Sequence, residues 1–281
     1  MTQQANAAQA FRALHKGSEI LLLPNVWDVA SARIIEAAGF PAIATSSAGV
    51  AFSLGYPDGQ KIPKEEMFAA IARIAKAVKV PVTADVESGY GDSPESAADT
   101  TRAVIAAGAV GMNLEDASED ASDDAAKPLV DLALQLEKIK AIREAASALG
   151  VPLVLNARTD VFLLQSGEPA GLYDEALRRL SAFRDAGADC VFVPGVRDAA
   201  IIGRFVSDLQ CPVNILAGPG SPPLAELRAL GVARVSLGSS PMRASLGVLR
   251  RIADELKSTG TYRSLDGAPS HAEINALMDG E

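Results

Sequence analysis

The stretch PVTADVESGYGD, Pro81 to Asp92, decides how the rest of the chain is read. An apolar, β-branched run stops abruptly at two carboxylates, Asp85 and Glu87, one residue apart, and a Gly-Tyr-Gly turn follows. A short apolar run bounded by turn residues reads as a strand buried on both faces, as in a parallel sheet covered by helices. Side chains two apart on a strand share a face, so the two acids point the same way, with Val86 opposite.

Outward from this stretch the same pattern recurs. Strand candidates are Ile20–Pro24, Ala42–Thr45, Val82–Asp85, Val110–Leu114, Leu153–Ala157, Cys190–Val193, Val213–Leu216 and Val232–Leu237. Helical stretches follow them at Ala30–Ala38, Lys64–Val78, Pro94–Ala107, Leu129–Leu149, Tyr173–Ala186, Asp198–Leu209, Pro222–Leu230 and Pro241–Lys257. Glycine closes five of these helices, at Gly39, Gly108, Gly150, Gly187 and Gly231, and proline opens three. Eight alternations in about 240 residues predict a (β/α)8 TIM barrel. Residues 1–281 then form a single domain, with Met1–Gly17 as an N-terminal capping helix. A polar C-terminal extension, Thr259–Glu281, carries a short helix over Ser270–Met278. A doubly wound open sheet is the alternative, but it needs a Gly-rich phosphate turn after its first strand, and that strand ends here in PNVWDVAS.

Composition narrows the function classes. The chain has 281 residues, is 48% hydrophobic and carries a formal net charge of −9. That charge speaks against a nucleic-acid or anionic-membrane partner, which needs clustered Lys and Arg. No run approaches the ~18 apolar residues of a membrane span, and no N-terminal stretch reads as a signal peptide. The two cysteines, Cys190 and Cys211, lack zinc-type spacing and read as buried thiols, which fits a cytoplasmic protein. The two histidines, His15 and His271, lie near opposite ends, which argues against a His-ligated zinc site or a Ser-His-Asp triad.

In a barrel of this kind the active site forms at the C-terminal ends of the strands. Those ends carry Asn25, Trp27 and Asp28, then TSSAGVA with YPD beyond it, then Asp85 and Glu87. Next come Asn113, Glu115 and Asp116, then Asn156, Arg158 and Asp160, then Pro194 and Asn214. Asp85, Glu87 and Glu115 fall at adjacent strand ends and can converge. Three carboxylates in a low-dielectric mouth repel one another unless a cation neutralises them. Oxygen donors without His or Cys suit Mg2+, or Mn2+. Helix capping and pairing with Lys or Arg is the alternative use of such acids. The N–H groups of Ser46, Ser47 and Ala48 can approach a carboxylate as an anion-binding nest, or form an ordinary tight turn. Trp27, the only tryptophan, is either a substrate contact or rim packing.

Together the runs PNVWD, ATSSAGVA, YPD, TADVESGYGD, NLED and ARTD resemble the isocitrate lyase/phosphoenolpyruvate mutase superfamily, over roughly Leu21 to Leu256. The resemblance implies a Mg2+-binding barrel acting on a small-molecule 2-oxo-acid, breaking a C–C bond through a metal-stabilised pyruvate enolate. It implies a homodimer or homotetramer whose C-terminal barrel helix is swapped between subunits. By position it assigns Asp85, Glu87 and Glu115 to the metal, and Ser46, Ser47 and Ala48 to the substrate carboxylate, with Trp27 as a further contact. Asp58 belongs to the polar network beside the metal, and Arg158 to the carboxylate and the developing enolate. The departures are specific. Glu87 stands where many members have Asp. The connection Asp116–Leu129 has no Cys, His or Arg, holds its only Lys at Lys127, and carries five acids between Asp116 and Asp124. Two other functions stay open: P–C bond chemistry on a phosphonopyruvate, and a non-catalytic barrel that binds a 2-oxo-acid.

Overall fold

Proline at position 24 divides the first strand of the sheet. The computed structural model describes residues 2–17, 19–118, 129–165 and 171–279. In it, β1 (Leu21–Leu23) pairs with the last strand, and β2 (Asn25–Val26) pairs with the next one. Pro24 has no N–H to give, yet its carbonyl accepts from Ala44 N at 3.3 Å. The two pieces are therefore halves of one strand.

The other strands are β3 (Ile43–Thr45), β4 (Val82–Ala84), β5 (Gly111–Glu115), β6 (Val154–Arg158), β7 (Cys190–Phe192), β8 (Val213–Leu216) and β9 (Arg234–Ser236). Their order is β1-β9-β8-β7-β6-β5-β4-β3-β2, parallel at every pairing. Because the first and last members of that order are consecutive in the chain, the sheet comes round on itself as a TIM-type barrel. The expected eight strands are present, with the first counted twice.

Outer helices follow the strands: α2 (Val29–Ala37), α4 (Lys64–Ala77), α5 (Pro94–Ala106), α6 (Leu132–Ala148), α7 (Leu172–Asp185), α8 (Ala199–Leu209), α9 (Leu224–Ala229) and α10 (Ser240–Ser258). These match the sequence reading to within a few residues. One helix was not foreseen: α3 (Ser47–Ser53) occupies the segment read as a nest or turn, with Ser46 as its N-cap accepting from Gly49 N at 3.1 Å. The extension carries α11 (His271–Asp279). Among the described residues, no helix is long and apolar enough to cross a membrane.

The N-terminal helix α1 (Gln3–Leu14) closes the bottom of the barrel. Arg12 donates to the Leu153 carbonyl and pairs with Asp189, both at the entering ends of strands. Phe11, fully buried, plugs the barrel floor. A Cβ on Gly111 would lie 2.8 Å from both Phe11 Cε1 and Thr83 Oγ1, so only glycine admits the plug. His15 stacks edge-on against Phe11 at 4.9 Å, and its Nδ1 meets the Phe11 carbonyl at 3.0 Å. By contrast α10 buries only Met242 and leaves Leu246, Leu249 and Leu256 exposed.

His15 makes the floor sensitive to acid. Burial first, then the nearby Arg234 charge, lowers its pKa from 6.5 to about 4. The unfolded chain therefore takes up this proton at higher pH than the folded one. The contribution is intact above the unfolded value and is lost as pH falls from 6.5 toward 4. Between pH 7.5 and 5 the loss is about 2 kcal/mol. In urea unfolding, His15→Leu is expected to lose about that much less stability than the wild type over the same interval. Parallel losses would mean that His15 does not titrate in this window.

Candidate active site

At the C-terminal ends of the strands lies a cavity of about 150 Å³ lined by Asn25, Ser46, Ser47, Ala48, Asp58, Asp85, Asn113 and Arg158, with Leu163, Phe192, Pro194 and Leu216 on its apolar side. A larger hollow of about 620 Å³ adjoins it, shares Leu163 and Leu216, and has no carboxylate in its walls. The smaller one brings two carboxylates and a guanidinium together. Glu87, Glu115 and Trp27 are not among its lining residues. Trp27 packs against the barrel core instead, close enough to α3 that a Cβ on Gly49 would approach Trp27 Cβ to 3.0 Å.

Asp85 stands one residue past β4 and is held from three sides. Its Oδ2 accepts from Ser47 N at 3.1 Å and Ser47 Oγ at 2.9 Å, and its backbone N–H donates to Thr45 Oγ1 at 2.8 Å. Its Oδ1 accepts from Asn113 Nδ2 at 3.3 Å, while Asn113 Oδ1 accepts from Asn156 Nδ2 at 2.7 Å. Ser46 N–H donates to the Val26 carbonyl at 2.9 Å. Two of the three N–H groups expected to face a substrate thus hold partners within the protein.

Glu87 reaches the cluster by another route than strand alternation. β4 ends at Ala84, and Glu87 has φ 53°, in the left-handed region. A turn, not a shared strand face, carries it. That turn is clamped: Gln60 Nε2 donates to Ser88 Oγ at 2.6 Å, and Gln60 Oε1 accepts from Tyr90 N at 2.6 Å. The buried Lys138 of α6 donates to the carbonyls of Ser88 at 2.7 Å and Gly91 at 3.0 Å. The Gln60 clamp also draws the Asp58 loop toward Glu87. Gln60 and Lys138 escape sequence reasoning because they lie 27 or more positions from Glu87. Only the fold brings them to the turn.

β5 and β6 pair Asn113 with Asn156 and Glu115 with Arg158. Arg158 Nη1 contacts Glu115 Oε2 at 2.6 Å, and Arg158 Nε donates to Asp160 Oδ1 at 2.6 Å. Burial works against the guanidinium charge, but Asp160 and Glu115 outweigh it and keep Arg158 protonated.

Charge is out of balance here. Burial first, then Asp85 and Asp58, raises Glu87 from 4.5 to about 8. Burial raises Glu115 as well, with Arg158 pulling against it. Asp58, exposed at the rim, is pushed up by desolvation and then by Asp85. Glu87 Oε1 is buried without a hydrogen-bond partner among the described residues. A donor set of oxygens alone, one of them unpartnered, with negative charge in excess, fits Mg2+ or Mn2+. No three His, Cys, Asp or Glu side chains among the described residues lie close enough to ligate an ion together. The fit is therefore to a hydrated ion gripped by one or two carboxylates, as Mg2+ prefers.

Residues 11–257 match the phosphoenolpyruvate phosphomutase family. The chain belongs to the isocitrate lyase/phosphoenolpyruvate mutase superfamily. It is 30% identical to 2-methylisocitrate lyase of Escherichia coli K12, over 92% of this chain and 86% of that one. It is also 30% identical to oxaloacetate decarboxylase of Rhodopseudomonas palustris BisB5, over 97% of this chain and 92% of that one. The structure of oxaloacetate acetylhydrolase in complex with oxalate superposes with a TM-score of 0.84 at 27% identity, covering 97% and 93% of the two chains. The superfamily holds lyases, decarboxylases and phosphonopyruvate enzymes. The acidic part of the connection after β5, with Glu119, Asp120, Asp123, Asp124 and Lys127, lies outside the described residues.

The clamp on the Glu87 turn yields a prediction. Lys138→Met leaves the Ser88 and Gly91 carbonyls without this donor and is expected to cost about 2 kcal/mol in urea unfolding. An unchanged midpoint would show that the turn does not depend on Lys138.

Proposed function

We propose that this protein is a Mg2+-dependent enzyme, with Mn2+ as a substitute, that cleaves a C–C bond in a small 2-oxo-acid through a pyruvate enolate. The observation that carries the reading is the meeting of Asp85, Asp58 and the Arg158 guanidinium in one cavity of about 150 Å³. In this reading one or two of Asp85, Glu87 and Glu115 would grip the hydrated ion and the rest would meet it through its water, with Asp58 orienting that water. The ion, when bound, supplies a Lewis acid beside the 2-oxo group. The segment Ser46, Ser47 and Ala48 at the start of α3 receives the substrate carboxylate through the Ala48 N–H, since the Ser46 and Ser47 N–H groups are held by Val26 and Asp85, with Trp27 as the packing wall behind them. Arg158 is aimed where negative charge develops, and such preorganised donors lower the barrier. Asn113 steadies Asp85, and Asn25 braces the Leu237–Gly238 backbone at the cavity edge.

One feature favours C–C cleavage of the decarboxylating kind over P–C chemistry. The cavity walls hold no Lys, His or Cys, and Arg158 is their one cation among the described residues. Loss of CO2 from a 3-carboxylated 2-oxo-acid needs no proton acceptor, since the electron pair of the broken bond passes into the enolate. A phosphonate needs more positive charge around it than one arginine already paired to Glu115 and Asp160 provides. We also propose a homodimer or homotetramer in which α10 is exchanged, supported by the exposed leucines of that helix. A cytoplasmic setting is supported by the two free thiols.

Three measurements test the reading. Pyruvate release is assayed from oxaloacetate, 4-hydroxy-2-oxo-acids and phosphonopyruvate, with and without EDTA. Release from a C–C substrate that EDTA abolishes is expected; release from phosphonopyruvate alone would move the enzyme to P–C chemistry, and none at all would leave a binding protein. Asp85→Ala is expected to weaken Mn2+ binding at least about tenfold by calorimetry while the protein stays folded. Arg158→Lys is expected to lose about a hundredfold in kcat, because a point charge does not reproduce a planar fork. Wild-type turnover in that variant would remove Arg158 from the mechanism.

A further inference from the structure

Asp116 has no place in the cavity walls, yet it is completely buried, and its carboxylate is the meeting point of three donors from separate parts of the chain. Thr159 Oγ1 donates at 2.7 Å, the backbone N–H of Asp160 at 2.9 Å, and Arg179 Nη1 of α7 at 3.1 Å. Arg179 is itself tethered, donating through Nε to Glu175 at 2.7 Å and through Nη1 to the Val130 carbonyl at 3.0 Å. The Asp116 carbonyl in turn accepts from Val130 N at 2.8 Å. The carboxylate is therefore fixed from one side by α7 and the Val130 backbone.

On its other side it holds the two residues that follow Arg158. Thr159 N–H donates to the Phe192 carbonyl at 2.9 Å, so the backbone there has little freedom left. Asp160, placed by its N–H bond to Asp116, turns its own carboxylate onto Arg158 Nε at 2.6 Å. Arg158 lines the cavity and Asp160 does not. The order of dependence runs from Asp116 to Asp160 to Arg158.

We propose that Asp116 is a positioning residue for Arg158, acting through Asp160: it fixes the Thr159–Asp160 backbone and so sets where the guanidinium meets the substrate. The proposal rests on the reading of Arg158 as the group that receives a 2-oxo-acid. The chemistry of the carboxylate is specific. Two acceptor oxygens serve three donors, and an amide at this position offers one oxygen and one NH2 group. Whichever way the amide turns, an N–H faces an N–H: that of Asp160 in one orientation, that of Arg179 in the other, so the side chain loses either its hold on the turn or its anchor on α7. A purely structural Asp116 would cost stability and leave the activity of each folded molecule intact.

The test compares wild type, Asp116→Asn, Asp160→Asn and the double variant. Two readouts are taken: kcat/KM on the 2-oxo-acid that the wild type turns over, with oxalate affinity beside it, and the NMR signal of Arg158 Nε–H, assigned by its loss in Arg158→Lys. Each single variant is expected to lower kcat/KM at least about tenfold. The double variant should be no worse than Asp160→Asn, since residues acting in series do not add. The Nε–H signal should exchange slowly in the wild type and broaden in Asp116→Asn. Wild-type kcat/KM with an unchanged signal in Asp116→Asn, or losses that multiply in the double variant, would overturn the proposal. Should Asp116→Asn fail to fold, Thr159→Val removes one donor without touching a charge. It is expected to shift both readouts in the same direction, and a wild-type result there also overturns the proposal. If the wild type neither turns over a 2-oxo-acid nor binds oxalate, the functional reading falls, and the Nε–H signal still decides this one.

Discussion

More negative charge is gathered at the mouth of this barrel than the cations beside it balance. Asp58, Asp85, Glu87, Glu115 and Asp160 surround one guanidinium, that of Arg158, and Glu115 and Asp160 already hold it. The surrounding architecture manages this imbalance. Serine and asparagine donors satisfy Asp85, the Gln60 and Lys138 clamp keeps Glu87 in its turn, and Asp116 secures the backbone behind Arg158. Well-packed apolar groups in the same positions would be as stable or more so, so the stability of the barrel alone does not call for these charges.

The two ends of the barrel divide the labour. At the bottom, Phe11 fills the floor, Gly111 makes room for it, and His15 and Arg12 tie α1 to the entering strands. Above the plug, Arg234 is fully buried, its Nη2 at 3.5 Å from Asn113 Oδ1, the same oxygen that takes the Asn156 amide. The barrel interior is thus polar from this layer to the mouth, and its asparagines pass order upward to Asp85. Substitution at the bottom acts on folding first. Substitution at the top acts on charge placement.

How much of this was legible in the sequence depends on the range of the interaction involved. Strand ends were legible because apolar runs stop where the barrel opens, and Asn113–Glu115 and Asn156–Arg158 were legible as pairs because β5 and β6 keep strict alternation. Alternation misled at Glu87, where a residue other than glycine takes φ 53° and only the clamp from distant Gln60 and Lys138 makes that tolerable. Small residues misled at Ser47–Ser53: the start of the segment read as an anion-binding nest or a tight turn, but Ser46 caps it and burial holds it as a helix. Asp116 was visible only as one acid among five, because nothing local distinguishes a carboxylate that binds Arg179 from one that faces water.

The imbalance at the mouth and the histidine at the floor oppose each other in pH. Glu87 keeps its proton in the folded state up to about 8, whereas the unfolded chain releases it near 4.5. The folded state therefore binds more protons between those values, and stability falls as pH rises through them. His15 has the reverse sign: the unfolded chain binds its proton first, and stability falls as pH drops from 6.5 toward 4. The free protein is squeezed from both directions, most on the alkaline side where the mouth must ionise. A cation bound only by the folded state lifts that side alone, because it favours the ionised carboxylates and leaves the floor untouched. A cation held at the mouth would thus change the shape of the stability profile and not merely its height, because the carboxylates it would favour titrate on one side of the profile and His15 on the other.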